Sequence, residues 1–340
     1  MSPAGRLLRM LSARLGQAAW LVGLVGTVVG LVWAASQTGP AAALRERVFD
    51  AALARSSATE NLALPVFVAI DRKTIARAGP WPWPRDRLAA LVSALTAAAP
   101  RALALDILLE GPDQSSPAAL ARRLAQDAPD AALAELAQRL PDGDAALAAA
   151  LARAPAALGL AMDPSRARPP PPLAPMLARS PVRIDGFWDA QGLIAPGARL
   201  SAAARGLGVL SLPGDSDAVV RRAPLLVVGG EVLAPGLAVE LLRLTLGGAP
   251  VLVDGPAGVL RMPGRDIALG DRAMLRLVPL SPAAASRATI SAEAVLSGDP
   301  QASARLAGAV VVLGAAAPEL GGLRPGPGGG LVPSALLQAL

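Results

Sequence analysis

Asp71 closes one apolar run, Pro65-Val-Phe-Val-Ala-Ile70, and Asp106 lies within a second, Arg101-Ala-Leu-Ala-Leu105-Asp106-Ile-Leu-Leu109. If the two runs are neighbouring parallel strands, both carboxylates fall near one edge of the sheet, where open α/β folds place their ligands. Paired carboxylates there could hold Mg²⁺ or serve as general acid and base. They could equally cap the helices that follow, and neither a nucleophile nor a phosphate cradle accompanies them. Between the runs comes Gly79-Pro-Trp-Pro-Trp-Pro84-Arg85-Asp86. Pro82 and Pro84 lack an N–H, so this segment is neither helix nor central strand but a rigid turn that places Trp81 and Trp83. Two indoles beside Arg85 can wall a ligand, or cap the edge of the core. Asp71, Trp81, Trp83, Arg85 and Asp106 are therefore the candidate ligand-binding residues.

Other chemistries are excluded by residue type. The chain has no Cys and no His, which removes disulfides, structural zinc, Cys or His nucleophiles and Ser-His-Asp catalysis. Lys73 is the only lysine and follows no Gly-rich stretch, so there is no P-loop. Asp215 and Asp217 suggest a calcium loop, but the further oxygen ligands and distal Glu are missing. They read instead as an Asx-type turn with Asp217 near Arg221. The net charge of +6 rests on scattered arginines, and with only 2% aromatics there is little for bases to stack on. Nucleic-acid binding is not expected, nor is a metal or other cofactor.

The elements that position the candidates follow from hydropathy pattern. The two apolar runs flank a helix-period stretch from Arg87 to Ala99, the form of a βαβ unit with buried parallel strands and a right-handed crossover.

The same stretch, "VAID…GPWPWPRDRLAALVSALTAAAPRALALDILL", resembles the type-2 CHASE domain, a cyclase/histidine-kinase-associated sensory extracellular domain. The resemblance continues at Gly206-Leu-Gly-Val-Leu-Ser211, Asp215-Ser-Asp-Ala-Val-Val-Arg-Arg222, Ala223-Pro-Leu-Leu226, Pro235-Gly-Leu-Ala-Val-Glu240 and Ala307-Gly-Ala-Val-Val-Val-Leu-Gly-Ala315. Together these cover most of residues 45–340. Such domains commonly carry a Gly-Val-Glu-hydrophobic-His-Ala motif where this chain reads Gly330-Leu-Val-Pro-Ser-Ala335, so Ser334 stands in the His position and the acidic residue is absent. The resemblance implies a sensory module coupled to transmembrane helices and a cyclase, kinase or similar output domain.

The amino terminus points to a bilayer. No charged residue occurs between Arg14 and Arg45, and Leu15 to Ala35 supplies the roughly 20 apolar residues that a span needs. Trp20 and Trp33 lie near its ends as an interfacial belt would. Arg6, Arg9 and Arg14 place residues 1–14 in the cytoplasm, 15–35 in the inner membrane and 36–340 outside, in the periplasm of a bacterium. A cleaved signal peptide ending at Ala41-Ala42-Ala43 is the competing reading, although the apolar run exceeds a usual h-region. Gly26 and Gly30 form a G-x-x-x-G spacing, so the anchor is expected to pair with a second copy as a homodimer.

Beyond the membrane, Ala41 to Ala54 reads as a short helix with Leu44, Val48 and Leu53 on or near one face. Residues 117–153 read as two or three short helices, the last capped by Asp142 or Asp144, and Ala156 to Met162 as a strand. Asp163 to Pro181 carries Pro169 to Pro172 and reads as a polyproline or disordered loop. Leu207 to Leu212, Leu275 to Val278 and Ala309 to Leu313 read as strands. Hairpins are expected about Gly229-Gly230 and Asp254 to Gly258. Pro235 to Leu246 reads as an amphipathic helix with Glu240 and Arg243 away from its apolar side, and Pro333 to Leu340 as a final helix.

The whole reads as a mixed α/β sensor domain behind a single N-terminal span. The leading function is a ligand-binding sensory module for an unidentified small molecule or envelope component. Two alternatives stay open: a carboxylate-based hydrolase or metal-dependent enzyme using Asp71 and Asp106, and an envelope structural protein.

Overall fold

The computed structural model describes residues 20, 22–33, 39–55, 64–128, 130–169, 171–270 and 272–340. Both apolar runs become strands, β1 (Val66–Ile70) and β2 (Ala102–Asp106). With β3 (Ala156–Asp163), β4 (Gly192–Ile194), β5 (Gly206–Val209), β6 (Thr289–Ser291) and β7 (Val310–Ala315) they build a seven-stranded sheet. Its order is β6-β1-β7-β2-β3, with β5 pairing parallel and β4 antiparallel to β3. β1 and β2 are parallel and buried as expected, but they are not neighbours. β7 lies between them, hydrogen-bonded to both, so two strand spacings, roughly 10 Å, part the runs that carry Asp71 and Asp106.

Alternation along these strands fills two layers. Val68, Ile70, Leu103, Leu105, Val311 and Leu313 face one side, against the Arg85–Ala97 and Gly143–Arg153 helices through Leu88, Leu91, Leu147 and Leu151. Phe67, Ala69, Ala102, Ala104 and Val312 face the other, under the Leu237–Thr245 and Ser334–Gln338 helices through Leu237, Leu241, Ala335 and Leu336. The small side chains on this second face let the helices approach closely. At Gly314 of β7 an added Cβ would come within 2.4 Å of Ala335 Cβ. The result is a three-layer α/β/α body.

A smaller β-rich lobe adjoins it. Met176–Arg179, Val251–Asp254, Val259–Met262 and Arg265–Ala268 form one sheet, and Trp188–Ala190, Leu226–Gly229 and Val232–Pro235 another, around Phe187, Leu226, Val253 and Leu260. Both expected hairpins are present. Part of the proline-rich stretch is ordered differently from expectation: Met176–Arg179 pairs parallel with Val251–Asp254, whose unfilled edge accepts it, while 164–169 and 171–175 carry no helix or strand. Residues 117–153 form three helices, the last capped by Asp142 through Ala145 N.

Two other expectations need correction. Glu240 and Arg243, placed away from the apolar side of their helix, are nonetheless buried and paired at 2.7 Å, with Arg243 also bonding the carbonyl of Arg205 at 3.0 Å. The pair fits only because residue 206 is glycine, since a Cβ there would fall 1.7 Å from the Glu240 carboxylate. Leu275 is exposed because Met274–Arg276 pairs with Arg222–Pro224 in a separate two-stranded ribbon, not in the core sheet.

The membrane helix expected over 15–35 is not supported. Among the described residues no helix is long and apolar enough to cross a membrane. Of that stretch, Trp20 and 22–33 are helical and exposed, and the remainder lies outside the described residues.

Candidate functional site

Each sequence-derived candidate is held by its own local partners. Asp71 is the N-cap of the Arg72–Ala78 helix: its Oδ1 accepts from Thr74 N at 2.9 Å, Thr74 Oγ1 at 2.7 Å and Ser291 Oγ at 2.9 Å. Burial raises its pKa, but these hydrogen bonds outweigh it and hold the carboxyl below its ordinary value. Asp106 ends β2 beside Gly314 and accepts a hydrogen bond from Ser334 Oγ at the start of the Ser334–Gln338 helix. Burial pushes its pKa up to about 6, opposed by that hydrogen bond and by the charge of Arg324. Asp71 thus caps a helix and Asp106 holds the Ser334 hydroxyl, with β7 between the strands they end, and nothing supports their joint use in catalysis.

The Pro/Trp turn brings Trp81 and Trp83 together edge-on, ring centroids 5.4 Å apart. Trp83 is core: it is buried among Leu88 and its neighbours, and its Nε1 donates to Gly79 O at 2.8 Å. Arg85 is buried as well. Its guanidinium pairs with Asp144 and bonds Glu110 O at 3.2 Å, while its backbone N donates to Asp113 Oδ2 at 3.2 Å. Asp113 N in turn donates to Asp144 Oδ2 at 3.0 Å, so Arg85 stitches the loop after β2 to the Gly143–Arg153 helix. The structure brings the tryptophans together, and Asp71, Asp106 and Arg85 each have their own local partners.

A larger constellation lies where the Gly39–Ala54 helix meets the body. Arg221 is 1% exposed and its guanidinium donates to Asp50 at 2.6 Å, Asp215 at 3.1 Å and Asp217 at 2.7 Å. Arg222 bonds Glu46 at 2.7 Å and Asp215 at 2.8 Å. Arg276 contacts Glu46 at 2.6 Å and Asp50 at 3.1 Å, and lies 4.2 Å over the Phe49 ring. The bond from Arg221 holds Asp217 far below the usual carboxylate range. Burial would raise Glu46, but its hydrogen bonds with Arg276 and Arg222 outweigh that and lower it.

The Asp217–Arg221 contact is the one the turn sequence indicated. Its long-range members were missed. A signal for them exists: at about 100° per residue Leu53, expected beside Leu44 and Val48, instead shares a side with Glu46 and Asp50, opposite Leu44 and Val48. The acidic side faces the body while Leu44 and Val48 are exposed, the reverse of an ordinary surface helix.

Beside this charge cluster opens a cavity of about 640 Å³, walled by the Gly39–Ala54 helix through Arg47, Asp50 and Ala54, by Arg221, and by the Gly326–Gly329 loop. Ala54 and Gly328-Gly329 also border a second cavity of about 370 Å³, lined by Leu280, Val332, Leu336, Leu337 and Leu340. Both volumes are in the range of small-molecule sites. Among the described residues, no group of three or more acidic side chains is placed to hold a metal ion.

The chain matches the family model described as CHASE2 domain over residues 25–340. No curated protein and no solved structure matches the chain.

Proposed function

Because the chain belongs to the CHASE2 domain family, the extracellular sensory domains of signal-transduction receptors, we propose that it senses a ligand outside the cytoplasm and reports binding through the Gly39–Ala54 helix. The observation that carries this mechanism is how that helix is docked. None of its side chains belongs to the apolar clusters of the body among the described residues; Glu46 and Asp50 hold it through Arg221, Arg222 and Arg276. Apolar contact is non-directional and tolerates small shifts, whereas charge-assisted bonds lose their strength when geometry changes. A helix docked by such bonds has two available states, engaged and released, and a ligand that distinguishes them shifts their populations. The charge-free stretch between Arg14 and Arg45 supports attachment of the amino terminus to the inner membrane, with the body on the periplasmic side.

The absence of cysteine from the sequence makes a direct test of location simple. Ala268 is exposed on the Arg265–Ala268 strand, and Ala268→Cys introduces a single thiol. A membrane-impermeant maleimide should label this variant in intact cells. Labelling only after the cells are permeabilised would overturn the extracytoplasmic assignment.

A further inference from the structure

We propose that the two adjoining cavities form one ligand site for a small amphiphilic anion, its carboxylate or phosphate head beside Arg55 and Arg47 and its apolar chain along Leu280, Leu336 and Leu340. This rests on the sensory reading above and adds the place and chemical class of the ligand. The head end is cationic in excess. Among the described residues four arginines (47, 221, 222 and 276) meet four carboxylates (Glu46, Asp50, Asp215, Asp217), while Arg55, which lines the same cavity, makes only a bond to its own helix, Nη1 to Ala51 O at 3.0 Å. Arg47 spends a 3.4 Å contact on Asp217, which Arg221 already holds at 2.7 Å, so its guanidinium can turn to another anion at little loss. Planar guanidinium forks match both carboxylate and phosphate oxygens.

The tail end is apolar. Apart from Ser281, the side chains around the second cavity are aliphatic or proline, and they come from three separate segments: Pro279–Pro282, the Gly326–Val332 region and the final helix. The cavities meet at Ala54 and Gly328-Gly329, where the walls carry a methyl group or no side chain at all. A ligand spanning that junction touches the Gly39–Ala54 helix on one side and the body on the other. Its binding favours the engaged state over the released one, which is the differential contact a sensor needs.

The experiment uses the full chain in nanodiscs of zwitterionic lipid, with dodecanoate and dodecyl phosphate as probes and empty nanodiscs as the partition control, read by titration calorimetry. Dodecanol has the tail without the charge, and acetate the charge without the tail. Saturable binding of either charged amphiphile, with dodecanol and acetate at least about tenfold weaker, is the expected result; tenfold corresponds to about 1.4 kcal/mol. Arg55→Glu, at an exposed position, should weaken binding by a similar factor. Ala54→Trp, also exposed, should block the junction and abolish binding. Equal heats for dodecanol, or heats unchanged in both variants, would overturn the site. Neither result bears on the labelling of Ala268→Cys, so failure of the site and failure of the extracytoplasmic assignment remain distinguishable.

Discussion

Arg221 donates through Nε to Asp50 Oδ2 at 2.6 Å across 171 residues of sequence, with both side chains almost wholly excluded from solvent. Arg221 is therefore the centre of the docking between the Gly39–Ala54 helix and the body. Two further carboxylates, Asp215 and Asp217, complete its surroundings. Burying these groups is tolerable only because every charge has a partner, and removing the shared one is costly.

Arg221→Met retains side-chain length but leaves the acidic groups without their central cation. It should lower stability to urea by about 3 kcal/mol or more. Asp50→Asn should cost less, about 1–2 kcal/mol, because Arg221 keeps Asp215 and Asp217. In both variants trypsin should cut sooner at Arg45, Arg47 and Arg55. Equal stability of Arg221→Met and wild type would mean that the helix is held by something else.

Asp106 introduces a pH dependence of unusual sign. Its ordinary pKa of 3.8 describes the unfolded chain, and burial lifts the folded value to about 6. Between these values the folded state binds more protons than the unfolded one, so stability falls as pH rises from about 4 to about 6. Above that window Asp106 costs on the order of 3 kcal/mol. Asp106→Asn retains an acceptor for the Ser334 hydroxyl and removes the charge. The variant should be more stable than wild type at pH 8, with the difference shrinking towards pH 4. A difference that is flat with pH, measured by urea denaturation across that range, would contradict the burial of this carboxylate.

Arg85→Ala should act on the fold. It leaves Asp144 without its cation and the Glu110 carbonyl without a donor, both at partly buried positions. The expected loss is about 2–4 kcal/mol, visible in unfolding followed by tryptophan fluorescence, since Trp81 and Trp83 lie just upstream of Arg85. If stability were unchanged and only ligand binding fell, Arg85 would be a ligand residue instead.

How much of this was legible beforehand depends on range in sequence. β1, β2 and β7 are continuous apolar runs and read correctly as buried strands, as did the Asp142 cap and both hairpins. Their pairing was not legible, because a strand buried on both faces has no alternation to specify its neighbour. β7 could therefore enter between β1 and β2 unannounced. β6 has only three residues, too few to show a period. The same holds at the sites. Asp217 was found as a partner of Arg221 because it is four residues away, and Asp50 was missed because it is 171 away. Arg85 looked free for a ligand because Asp144, 59 residues on, gives no local sign of meeting it.

The exposed stretch at the amino terminus leads to the last prediction, self-association. In the helical segment 22–33, Gly26 and Gly30 have nothing within 4 Å of the position a Cβ would take, and Gly23 is equally open. A larger side chain there meets none of the described residues, so a loss of association on enlarging it points to contact with a second molecule. Between helices in lipid there is no hydrophobic drive, and close backbone approach across small residues is what holds a pair together. Leu44 and Val48 are exposed on the Gly39–Ala54 helix and offer further aliphatic contact. A two-hybrid-type membrane association assay on the full chain should therefore give signal for wild type, and Gly26→Ile with Gly30→Ile should reduce it severalfold while expression and Ala268→Cys labelling persist. Leu44→Glu with Val48→Glu should reduce it further. Equal signal for wild type and both double variants would leave this segment without a part in association.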